Sequence, residues 1–105
     1  MTNVDKFISI YLPNIGETVE AHIDPDVKSG KIDPSLIEGL VAGKVRLVRK
    51  DANSPQKRRP TVFADLDFQG DRQRLRLNVV DRSDKTHKLV LGQAFLEAFN
   101  VQLAA

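Results

Sequence analysis

Proton-transfer chemistry has few places to sit in this chain, and the densest is Glu17 to Asp26, which reads ETVEAHIDPD. Val19, Ala21 and Ile23 alternate there with Thr18, Glu20, His22 and Asp24. A period of two is that of a strand with one face toward a core. Glu20, His22 and Asp24 therefore share the opposite face, and two carboxylates flanking an imidazole could do acid–base work. The same residues also suit an ordinary solvent-facing strand. Asp24-Pro25-Asp26 fits a turn that ends that strand, because Asp and Pro both favour turns.

Other sources of chemistry are sparse. Asp81 and Asp84 flank Arg82 and Ser83 in a polar turn, where aspartates commonly bond local backbone. Ser29, Ser35, Ser54 and Ser83 are the serines of the central region, and none lies in Gly-x-Ser-x-Gly. No glycine-rich phosphate loop occurs, so no nucleotide or other cofactor is expected. The chain has no cysteine, and His22 and His87 are its only histidines. Protein zinc sites recruit three or four ligands rich in Cys and His, so no metal is expected either.

The elements that must position these residues can be read in order. Lys6 to Leu12 is a first strand, closed by Pro13-Asn14-Ile15-Gly16, and Glu17 to Asp24 is the second. Asp33-Pro34 opens one helical turn that Gly39 ends, with Asp33 as its N-cap. Gly43 to Lys50 alternates as a third strand with one wet face, and Asp51 to Pro60 is a loop or hairpin tip. Thr61 to Gln69 and Arg72 to Val80 are expected to pair across a Gly70-Asp71 turn. That register sets Val62 against Val79, Ala64 against Leu77 and Leu66 against Leu75, with Asp65 facing Arg76 and Asp67 facing Arg74. After the charged turn at Asp81 to Lys85, Lys88 to Leu91 is a short apolar strand. Gly92 breaks it, and Gln93 to Phe99 has helical spacing.

At 105 residues, 41% apolar and 29% charged, the chain suits one domain spanning 1–105. No apolar run approaches the roughly 20 residues that span a bilayer. The N-terminus lacks a secretory pattern. With no cysteine, a cytoplasmic protein of bacterial or phage origin is expected. The net charge of +2 hides an asymmetry: residues 1–38 hold three basic and seven acidic side chains, and the remainder thirteen and seven. Lys44, Arg46, Arg49, Lys50, Lys57, Arg58 and Arg59 cluster. They make RNA or DNA a conceivable partner through this cluster and the Arg72, Arg74, Arg76 face, although aromatics for base stacking are nearly absent.

From about Pro60 onward the chain resembles retropepsin-like aspartic peptidases, in which an apolar strand runs into a Leu-Gly-Arg or Ile-Gly-Arg turn and a short helix. The matching residues are Asp81-Arg82-Ser83-Asp84, then Leu89-Val90-Leu91-Gly92-Gln93-Ala94-Phe95-Leu96, and more loosely Phe99-Asn100-Val101. The resemblance is closest to the bacterial family labelled ATP-dependent zinc proteases. It implies a mainly β fold, a small closed or partly closed barrel of about six strands with one short C-terminal helix. It also implies a homodimer whose terminal strands, Met1 to Val4 and Val101 to Ala105, interleave, and a hairpin near residues 51–60 forming a flap.

In that family an apolar residue precedes a catalytic Asp in Asp-Thr-Gly-Ala, which makes Asp24, after Ile23, the candidate catalytic residue, one per subunit. Two such carboxylates would share a proton and activate a water, because close like charges cannot both ionise. Pro25 and Asp26 depart from the motif. The threonine braces the two loops across the dimer, and Pro25 has neither hydroxyl nor N–H to replace it. Asp26 adds bulk and charge where glycine admits close approach. Gln93 stands where the family usually has arginine. The expectation is therefore a pseudoenzyme that dimerises and binds a peptide or protein, with an active aspartic endopeptidase using Asp24 as the alternative and a nucleic-acid-binding barrel as the second.

Overall fold

The computed structural model describes residues 2–49 and 51–105. In chain order the strands are β1 (Thr2–Val4), β2 (Phe7–Leu12), β3 (Glu17–Ile23), β4 (Gly30–Ile32), β5 (Val41–Ala42) and β6 (Arg46–Val48). They continue as β7 (Lys57–Arg59), β8 (Thr61–Phe68), β9 (Asp71–Val79), β10 (Leu89–Leu91) and β11 (Val101–Leu103). One 3₁₀ turn (Pro34–Leu36) follows β4, and one helix, α1 (Gln93–Ala98), precedes β11. Strand order β2-β3-β10-β4-β9-β8 closes on itself where β8 returns to β2 at Tyr11 and Asp67. The result is a six-stranded barrel, with β5 paired to the start of β8 on the edge that β2 meets at its end.

The barrel forms because its strands alternate. β2 buries Ile10 and Leu12, β3 buries Ala21 and Ile23, and β8 buries Val62, Ala64, Leu66 and Phe68 between wetter neighbours, with Thr61 at its start buried as well. β10 is different: Leu89, Val90 and Leu91 are all buried. It is inserted between β3, to which it runs parallel, and β4, to which it runs antiparallel, although those two strands follow one another in sequence. A strand covered on both faces reads as a continuous apolar run.

The β8–β9 hairpin exists, with its register two residues away from the expected one. Val62 pairs with Leu77, Ala64 with Leu75, Asp65 with Arg74 and Asp67 with Arg72, while Arg76 lies opposite Phe63. The turn is Gln69-Gly70, both with positive φ (53° and 82°), the requirement of a type I′ hairpin. A slip of two keeps every side chain on its own face, so alternation cannot detect it. The neighbours decide: Phe68 packs edge-on against Phe95 and Phe99 (5.7 and 6.0 Å between ring centres), and the far end of β9 pairs with Lys31 and Ile32 of β4.

One other expectation changes. The third strand reaches only from Arg46 to Val48, with Lys50 outside the described residues, and it pairs with β7, Leu47 facing Arg58. Leu47 within it is 63% exposed, and Val45 just before it 47%. The chain ends pair with each other: β1 and β11 form a parallel two-stranded ribbon, Thr2 beside Val101 and Val4 beside Leu103. No described helix is long and apolar enough to cross a membrane.

Candidate functional site at the end of β3

Asp24 sits at the open end of β3, and three elements hold it there. Its N–H donates to Leu91 O (2.9 Å), which ties it to β10, and its own C=O accepts from Val27 N–H (3.1 Å) to close a turn. Asp24 Oδ1 accepts from Asp26 N–H at 3.0 Å. That contact is the local carboxylate-to-backbone bond by which Asp favours turns. Pro25 and Asp26 are exposed, and Gln93 Nε2 donates to Pro25 O at 3.0 Å.

The loop is pressed against the start of α1. A side chain on Gly92 would put its Cβ 2.0 Å from Val27 O, so only glycine fits there. Gln93 and Ala94 then donate their N–H groups to Val27 O and Lys28 O (2.8 and 2.9 Å). These are orphan donors of a helix start, which need such partners. Residues 24–28 are therefore shaped from behind by α1 and from the side by β10.

In front of Asp24 lies an open hollow of about 370 Å³, lined by Lys6, His22, Ile23, Asp24, Pro25 and Leu103. Leu103 belongs to β11, so the terminal ribbon borders the site. His22 does share this hollow with Asp24, as the strand alternation indicates. What the sequence did not reveal is that His87, though outside the lining of the hollow, comes up beside His22. Phe7 stacks on His87 (4.7 Å between ring centres, 12° between planes) and lies 5.3 Å from His22, with the two histidines 6.1 Å apart. His87 Nε2 meets Glu20 Oε1 at 2.5 Å, and Arg82 Nε donates to His87 O at 2.6 Å. Partial burial, and then the nearby Lys6, hold the His22 imidazole below its ordinary 6.5, with Asp24 opposing them. An uncharged imidazole beside Asp24 is the consequence near neutral pH. No group of three or more His, Cys, Asp or Glu able to hold a metal occurs among the described residues.

Behind the site, Asp33 is a buried carboxylate, 4% exposed. As expected of an N-cap it accepts from Ser35 N–H (3.0 Å), but its other oxygen reaches Arg82 N–H (2.5 Å), across to the loop that carries His87. Hydrogen bonds from Ser35, and then from the Arg82 backbone, hold its pKa below the ordinary carboxylate value. Sequence spacing indicates the cap; the second contact joins segments too far apart for local pattern to register. Asp81 accepts from Ser83 N–H (2.9 Å), as its turn position predicts.

No family model matches this sequence, and no curated protein matches it. Solved structures do. A Legionella pneumophila protein of unknown function (DUF785) superposes with a TM-score of 0.72 at 14% identity, over 98% of this chain and 92% of the other. The EIAV protease, complexed with the inhibitor HBY-793, superposes with a TM-score of 0.65 at 10% identity, over 94% and 91%. At such identities the likeness is one of fold, and together with the closed six-stranded barrel and its single short helix it makes this chain a retropepsin-like β-barrel.

Proposed function

We propose that this retropepsin-like domain dimerises through its terminal ribbon and serves for binding, with the peptidase chemistry lost or much weakened. The observation that carries the reading is the state of the 24–28 loop. Its Pro25 carbonyl is tied back to Gln93 of the same subunit, and Pro25 has no donor with which to brace a second loop across a two-fold axis. Asp26, exposed next to Asp24, would bring four carboxylates to that axis, and close like charges resist joint ionisation. Dimerisation is supported by β1 and β11: no third described strand joins their ribbon, and open strand edges beside Asp24 invite pairing.

The competing reading is a working aspartic endopeptidase. It is favoured by one observation: Asp24 borders an open hollow, with Oδ1 fixed by backbone. Two measurements test the proposal, and the second separates it from this alternative. Sedimentation velocity is expected to give a dimer, and a denatured protein substrate at about pH 4 to 5, the range where a shared-proton pair works, is expected to be cleaved no faster by the wild type than by Asp24→Asn. Acid-dependent cleavage lost in Asp24→Asn would reverse the assignment, and a monomer at high concentration would remove the dimer.

A further inference from the structure

The β6–β7 ribbon is unlike every other pairing in the molecule. Residues 44–59 hold seven of the chain's sixteen basic side chains and one of its fourteen acids, Asp51, so the rest of the chain carries four more negative than positive charges. Among the described residues Lys44, Arg49, Lys57, Arg58 and Arg59 join no ion pair. Arg72 and Arg74, by contrast, are held by Asp67 and Asp65, so among the β9 arginines only Arg76 adds an uncompensated charge to the basic surface. Lys57 and Arg59 point to one face of the ribbon and Arg58 to the other, opposite Leu47.

We infer that this ribbon binds double-stranded DNA, lying in the major groove with its cations directed to the phosphates on either side. A groove about 12 Å wide admits a two-stranded ribbon, whose strands lie about 4.8 Å apart. Cations on both faces suit a slot flanked by phosphates on both sides; an acidic peptide laid on one face would leave those of the other face unmatched. Segment 44–59 contains no aromatic residue, so it lacks the platforms on which unpaired bases stack. The major groove of duplex RNA is too narrow and deep for it. Binding of this kind is backbone-directed, with little choice of sequence, and it is independent of Asp24.

The test is fluorescence anisotropy with a labelled DNA duplex of arbitrary sequence. Affinity is expected to fall about 100- to 1,000-fold from low to physiological salt, as several phosphate contacts require. Changing Lys57, Arg58 and Arg59 together to Ala is expected to weaken binding at least about tenfold and lower the salt slope by about three. The circular dichroism spectrum and thermal midpoint should stay as in wild type, since none of the three is buried. Asp24→Asn should bind like wild type. Any of four results overturns the inference: no binding at low salt, full affinity in the triple variant, single-stranded DNA or duplex RNA of equal length bound as tightly, or a glutamate-rich peptide of matched charge competing as well as the duplex.

Discussion

Two antiparallel ribbons, β8–β9 and β6–β7, are built from similar backbone and do opposite things. In β8–β9 one face is core, with Ala64, Leu66 and Leu77 fully buried, and on the other Arg74 and Arg72 reach Asp65 and Asp67 at 2.9 and 2.5 Å. In β6–β7 the basic Lys57 and Arg58 face apolar partners, Arg59 lies opposite Arg46, and Leu47 is exposed. The first ribbon is thus stabilised from within the molecule, and the second gains most from a partner outside it.

The comparison can be broken most forcefully in the core. Leu66→Ala in β8 is expected to lower unfolding free energy by about 2 to 5 kcal/mol, whereas Leu47→Ala in β6 should stay within about 0.5 kcal/mol. Equal losses in urea titration would mean that β6–β7 has a buried face after all. Gly92→Ala comes next, since the Cβ would strike Val27 O; overpacking of this kind costs about 1 to 3 kcal/mol, and a variant as stable as wild type would contradict the close approach of α1 to the Asp24 loop.

Asp33, which anchors the loop that follows β9, should show its effect through pH. Because its folded pKa lies below the ordinary 3.8, its contribution is fully present above that value and is lost as pH falls through the folded pKa. Asp33→Asn should therefore be least stable relative to wild type at neutral pH, by about 1.5 to 3 kcal/mol for bonds to a charged group, and the gap should narrow below about pH 4. A pH-independent gap would assign the loss to packing. The smallest effects lie on the two charged surfaces. Asp65→Asn with Asp67→Asn should reduce the thermal midpoint slightly and only at low salt, and Arg58→Glu in β7 should leave it unchanged or raise it. A fall with Arg58→Glu would show that the basic ribbon is stabilised internally.

Much of this was legible in the residues. Alternation located β2, β3, β8 and β9, the Gly92 break located the start of α1, and the fold followed from Leu89 to Leu96. The register of β8–β9 was not, because a two-residue slip changes no face and only Phe95, Phe99 and β4 tell the registers apart. At the site, the shared face of His22 and Asp24 was readable, being a property of one strand. The approach of His87 and Phe7 was not, since it depends on a loop anchored at Asp33.

By itself the sequence determined which faces are apolar, where the chain turns, that Asp24 ends a strand, and that the positive charge gathers in residues 44–59. These are local properties, set by the period of two in a strand and by the backbone habits of Gly, Pro and Asp. Only the tertiary structure decided that the two termini pair, that β10 enters between β3 and β4, that Arg72 and Arg74 of β9 are neutralised while Lys57, Arg58 and Arg59 join no ion pair among the described residues, and which groups surround Asp24. Such outcomes depend on contacts between distant segments, whose partners are chosen by packing the whole barrel at once and leave no periodic trace in either segment alone.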